Sequence, residues 1–138
     1  MSVNLFDLSG TTALVTGGNG GIGYGIAKGL ADCGSNIIIA ARNSEKTEQA
    51  VEELQKSTTN IKIHGLTVDV ASEDSVNEMA KKALELTPRI NILVNNAGIN
   101  IKKIPMELSI EEWNKVVQIN LTGSFLCAKA LYPNMKSS

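Results

Sequence analysis

A parallel β-sheet covered on both faces by helices, an α/β fold, is what this chain predicts, and three observations carry that reading. Short apolar runs alternate with amphipathic segments along all 138 residues. Three of the four runs are near-continuous in apolar residues, as strands buried on both faces must be. The segments between them repeat apolar residues at three and four, the helical period.

The elements follow in order. TALVT, Thr12 to Thr16, reads as the first strand, and Ile22, Ile26 and Leu30 mark the helix after it. NIIIAA, Asn36 to Ala41, is the second strand, followed by a helix patterned by Ala50, Val51 and Leu54. IKIHGLTV, Ile61 to Val68, is the third; Lys62 and His64 alternate there with Ile61 and Ile63, which places this strand at a sheet edge. Val76, Met79, Ala80, Ala83 and Leu84 define the third helix, and INILVN, Ile90 to Asn95, the fourth strand. Ser109 with Glu111 and Glu112 reads as a helix start, with acids near the positive end of the dipole. From there a long helix is expected to run to Tyr132 and break near Pro133.

Right-handed crossovers arrange four such strands in the order 3-2-1-4, the first half of a Rossmann-type doubly wound sheet. One domain, residues 1–138, is expected. It reads as incomplete at its C-terminal side, because a doubly wound domain would send in its next strand where the chain stops.

Composition narrows the function. The 13 basic and 14 acidic residues are dispersed, with no run of like charge, so neither a nucleic-acid nor a membrane partner is expected. No segment approaches the roughly 20 apolar residues of a bilayer span, and the N-terminus lacks a basic region followed by an apolar run; a cytoplasmic protein is expected. Cys33 and Cys127 read as two buried, reduced thiols, and with His64 as the lone imidazole no metal site is expected.

TGGNGGIG, Thr16 to Gly23, stands between the first strand and its helix. Glycines there let the backbone turn sharply and approach a pyrophosphate, while the helix N-terminus offers unpaired N–H groups and partial positive charge. Inside a βαβ unit the string points to a dinucleotide rather than a plain turn. Two registers fit: T-G-x-x-x-G-x-G on Thr16, Gly17, Gly21 and Gly23, or G-x-G-x-x-G on Gly18, Gly20 and Gly23. Asp69 after the third strand suits either a hydrogen bond from adenine or a helix cap beside Ser72.

With NNAG (Asn95 to Gly98) ending the fourth strand, Asp69 and Val70 after the third, and Asn120 in INLTGSF, the chain resembles the short-chain dehydrogenase/reductase family in four motifs in the right order. The resemblance implies hydride transfer between a nicotinamide and a carbonyl or alcohol carbon of a small-molecule substrate. It places cofactor contacts at Gly17, Asn19, Gly21, Ile22 and Gly23, at Arg42 and Asn43, at Asp69 and Val70, and at Asn96, Ala97 and Gly98. It gives Asn120 a catalytic role in a proton path, and it implies a homo-oligomer, dimer or tetramer, joined through the long helix on Val116, Val117, Leu121, Phe125 and Leu131. Where the family's NAD-binding members carry an acid at the end of the second strand, this chain has Ala41 and then Arg42, whose planar fork can pair with a 2′-phosphate. NADP is therefore expected over NAD, with a solvated loop cation as the alternative reading of Arg42.

The family also uses a Tyr-x-x-x-Lys pair for proton transfer, and Tyr132 and Lys136 have that spacing. Geometry argues against them. At about 1.5 Å per residue, Tyr132 lies roughly 18 Å along the helix from Asn120 and about 120° around it. Tyr132 is expected to be partly buried, with Lys136 near the negative helix end, and Ser137 and Ser138 are poor candidates for the family's substrate-orienting serine. The expectation is thus the NADP-binding part of an oxidoreductase that is inactive and poorly soluble alone, or else a non-catalytic NADP-binding module. NLFDLSG, NNAGINIKK and YPNMK are similar to the sugar-acid branch, gluconate 5-dehydrogenases and 2-deoxygluconate 3-dehydrogenases, with 3-oxoacyl carrier-protein reductases as the alternative.

Overall fold

A computed structural model describes residues 4–136. Ser137 and Ser138 lie outside the described residues. The order is β1 (Thr12–Thr16), α1 (Gly21–Asp32), β2 (Asn36–Ala41), α2 (Ser44–Ser57), β3 (Ile63–Thr67), α3 (Glu73–Leu86), β4 (Ile92–Val94), a 3₁₀ turn (Pro105–Glu107), α4 (Ile110–Val117), a π-helical turn (Gln118–Thr122) and α5 (Gly123–Met135). The strands form one parallel sheet in the order β3-β2-β1-β4, as expected, with β3 at one edge.

Side chains alternate across the sheet with period two, and two cores result. Ala13, Val15, Ile37 and Ile39 meet Ala27, Ala31, Ala50 and Leu54 on one face. Leu14, Ile38 and Ala40 meet Val76, Met79, Ala83, Leu126, Cys127 and Leu131 on the other. Leu14, Ile38 and Leu131 are at most 1% exposed, and burying each such side chain contributes about 1.5–3 kcal/mol.

Both outer strands are shorter than their apolar runs. At the start of the third run Lys62 N–H donates to the Asn36 side chain, while the Lys62 carbonyl still accepts from Ile37 N–H. Ile90 N–H donates to Asn134 Oδ1 instead of to a strand.

α1 turns a different face inward from the one its large apolar residues suggest. Gly23, Ala27 and Ala31 are buried, Ile26 and Leu30 are half-buried, and Ile22 is 79% exposed. At Gly23 the helix meets the glycine loop so closely that a Cβ would strike the Gly17 carbonyl. Leu84 on α3 is likewise 38% exposed, and Cys33 is half-buried rather than buried. Cys127 is fully enclosed, and burial pushes its thiol up to about 11.

Pro133 does not break the last helix, which continues to Met135. A proline near a helix end forfeits few hydrogen bonds, and tertiary contacts hold this turn: Asn134 accepts from Ile90 N–H at 2.9 Å and donates to the Pro88 carbonyl at 3.0 Å. Tyr132, expected to be partly buried, is 61% exposed. Leu131, assigned above to the outward face, is instead fully buried, and the Lys136 ammonium stands 5.4 Å from the Tyr132 ring centroid.

Candidate functional site

The carboxyl ends of β1, β2 and β4 and the segment after β3 open onto one cleft of about 590 Å³. This is the edge of an open α/β sheet where ligands bind. Eleven of the expected cofactor contacts line it: Gly17, Asn19, Ile22, Gly23, Arg42, Asn43, Asp69, Val70, Asn96, Ala97 and Gly98. Gly21 does not; it starts α1 with φ +54°, so its part is in the turn. Asn120 is also outside the lining. Gly20, a position of the alternative glycine register, lines it too, and Lys46, Ile99 and Ile119 do so without having been singled out in the sequence.

Thr16 and Asn96 lock the floor. The buried Thr16 hydroxyl accepts from Asn96 N–H at 3.1 Å and Ala97 N–H at 3.0 Å, and donates to the Val94 carbonyl at 3.3 Å. Asn96 Nδ2 donates back to the Thr16 and Gly17 carbonyls at 3.1 and 3.2 Å. Two motifs roughly eighty residues apart thereby become one rigid corner. At Gly17, φ +64° and the backbone of Ala97, 3.1 Å from where a Cβ would stand, exclude a side chain. A Cβ on Gly23 would collide with the Gly17 carbonyl and the Asn96 amide.

Above this corner stands the N-terminus of α1. No side chain caps it, and its first turn holds no acid. The starts of α2, α3 and α4 differ: Asn43, Ser72 and Ser109 accept from the first-turn amides of Lys46, Ser75 and Glu112, and each of those first turns carries an acid. The α1 amides alone face the cleft with their partial positive charge unmet, the arrangement that accommodates an anion.

Arg42 and Lys46 bring two cations to the cleft wall, and no acid pairs with either among the described residues. Asn19 ties the glycine loop to α2 by donating to Thr47 Oγ1 at 3.1 Å and the Asn43 carbonyl at 3.4 Å. Asn43 is therefore chiefly the cap of α2, accepting from Lys46 N–H at 2.9 Å. Asp69 uses Oδ1 in a local turn with Ala71 N–H at 3.0 Å. The cap beside it is Ser72, so the capping alternative for Asp69 does not hold; Oδ2 accepts no hydrogen bond among the described residues.

Asn120 sits in the π turn between α4 and α5. Its amide clamps one residue of the β4 loop from both sides, accepting from Ile99 N–H at 2.8 Å and donating to the Ile99 carbonyl at 3.0 Å. Its Oδ1 lies 3.2 Å from where a Cβ on Gly98 would stand. Tyr132 is not among the cleft residues. Among the described residues no His, Cys, Asp and Glu cluster suits a metal ion, and no helix is long and apolar enough to cross a membrane.

This architecture recurs in known proteins. The family model for short chain dehydrogenases matches residues 11–138. A 3-oxoacyl-[acyl-carrier-protein] reductase of Aquifex aeolicus is 40% identical over 119 residues, covering 86% of this chain and 48% of that protein. A 2-dehydro-3-deoxy-D-gluconate 5-dehydrogenase of Formosa agariphila is 39% identical over 137 residues, 98% of this chain and 51% of that one. Among solved structures, the RhlG/NADP active-site complex of Pseudomonas aeruginosa superposes with a TM-score of 0.89 at 34% identity, covering 96% of this chain and 51% of the other. The chain thus spans about half the length of the curated relatives it matches. Its fold, its motifs and the match over almost its entire length agree: the chain belongs to the short chain dehydrogenase family.

Proposed function

We propose that these residues form the NADP-binding part of an oxidoreductase that moves a hydride between a nicotinamide and a carbonyl or alcohol carbon of a small molecule. The observation that carries this is the uncapped, acid-free start of α1 above a cleft whose floor admits no side chain at Gly17 or Gly23. A diphosphate fits that start, taking up amides that no protein group satisfies. Arg42, with no acid at the end of β2, favours the 2′-phosphate of NADP over the bare ribose of NAD. The NADP complex among the solved relatives supports the same assignment.

The dinucleotide supplies the hydride chemistry, and these residues bind and orient it. Asp69 Oδ2 would accept from adenine; Asn96, its amide turned to Thr16 and Gly17, with Ala97 and Gly98 would let the ribose and nicotinamide lie against backbone. Asn120 acts as a positioning residue, holding Ile99 at the cleft rim. Tyr132 and Lys136, neither of which lines the cleft, take no part. The substrate class we propose is a sugar acid, in line with the gluconate-type relative that matches 98% of the chain; a screen that found turnover only of 3-oxoacyl thioesters would replace it, as the Aquifex relative suggests.

Titration with NADPH and NADH tests the cofactor reading. NADPH is expected to bind at least about tenfold more tightly, with the preference lost in Arg42→Ala. Equal affinities in the unaltered protein would refute it.

A further inference from the structure

We infer that Lys46 is the second cation of the 2′-phosphate site, so that discrimination between NADP and NAD rests on an Arg42–Lys46 pair rather than on Arg42 alone. The inference rests on the cofactor reading above.

Two observations carry it independently. The first is the placement of the side chain. Although Lys46 belongs to the outer first turn of α2, its ammonium reaches back over the glycine loop. A Cβ built on Gly20 would stand 2.8 Å from Nζ and 3.0 Å from Cε. Its end thus occupies the cleft wall where the loop leaves no side chain of its own. The link from Asn19 to Thr47 and to the Asn43 carbonyl fixes the loop against this same turn, so the ammonium and the loop keep their relation.

The second is an electrostatic conflict. Arg42 directly precedes the cap of α2, and Lys46 lies in its first turn. The N-terminus of a helix is its positive end, where cations are disfavoured and anions favoured. The only acid of that turn, Glu45, makes no ion pair with either cation. Two unpaired cations at a positive helix end are self-repelling until an anion arrives. A phosphate monoester carries about 1.5 to 2 negative charges at neutral pH and three acceptor oxygens, enough for both side chains at once. The diphosphate is held by the amides of α1 and does not need this pair.

The test is calorimetric titration of the protein, its Lys46→Gln variant and its Lys46→Arg variant with NADPH and with NADH. Lys46→Gln is expected to weaken NADPH about tenfold and NADH less than twofold, with Lys46→Arg keeping most of the NADPH affinity. Coinciding melting curves of the three proteins without ligand separate this from a folding defect. An equal loss for both dinucleotides assigns Lys46 to the diphosphate and overturns the inference, as does no loss for either. If the unaltered protein prefers NADPH while Lys46→Gln is silent, only this inference fails. If the unaltered protein shows no preference, the cofactor reading fails with it.

Discussion

The corner built by β1, α1, β2 and α2 and the long helix running from α4 into α5 use their apolar residues in opposite ways. In the corner the packing face is small: Gly23, Ala27 and Ala31 lie against the sheet while Ile22 stands in the cleft, 79% exposed. In the long helix Ile119, Leu126, Cys127 and Leu131 are buried, while Trp113, Leu121 and Phe125 are 56–68% exposed. Close backbone approach organises the first region, and an apolar stripe larger than one core can use organises the second. The corner we propose as the dinucleotide site is tight. The helix offers an apolar face, the surface we propose for homo-oligomer contacts.

The largest effect that could break this contrast is expected at Gly23. Gly23→Ala would press a methyl into the Gly17 carbonyl and the Asn96 amide, costing about 1–3 kcal/mol and abolishing dinucleotide binding. Thermal unfolding and a binding titration check both; a variant that still binds would mean that the corner is not tight. Next comes Asn120→Leu, which removes both partners of the Ile99 backbone in a partly solvated loop, for a loss of about 1 kcal/mol in chemical denaturation. No change would leave the π turn without its clamp.

Cysteine labelling sharpens the same comparison inside the helix. Burial holds the Cys127 thiol neutral, up to about 11, so alkylation at mildly alkaline pH should modify Cys33 first. A raised folded value favours the neutral thiol: its stabilising effect is complete below the ordinary thiol range, about 8.5, and is lost as pH rises through about 11. Equal labelling rates in mass spectrometry would show that α5 opens. The smallest effect on folding is expected for Phe125→Ser, within about 0.5 kcal/mol, because the side chain is 62% exposed. Sedimentation should nonetheless show weaker self-association; an unchanged assembly would move the interface elsewhere.

Much of this was legible in the residues, for identifiable reasons. The strands carry their own signal, so β1 and β2 begin and end where TALVT and NIIIAA do. The sheet order followed from crossover handedness and from the polar alternation of Lys62 and His64. The glycine string and NNAG were legible because a tight corner tolerates few residue types. What escaped depends on contacts distant in sequence. Pro133 is held in a helix by Asn134 reaching Pro88 and Ile90, and nothing local to YPNMK announces that. Lys46 reads as one more polar residue of an exposed helix until folding brings its ammonium over Gly20. The inward face of α1 was misjudged because hydrophobic period favours large residues, whereas the loop–helix approach selects small ones.

Hydrogen–deuterium exchange with and without NADPH tests the central claim most directly, since it reads the corner and the long helix in one experiment. Protection is predicted in the peptides spanning Gly17 to Gly23 and Arg42 to Lys46, with none around Phe125 to Tyr132. Protection confined to the long helix, or none in the glycine loop at saturating NADPH, would contradict the assignment of the α1 corner as the diphosphate site.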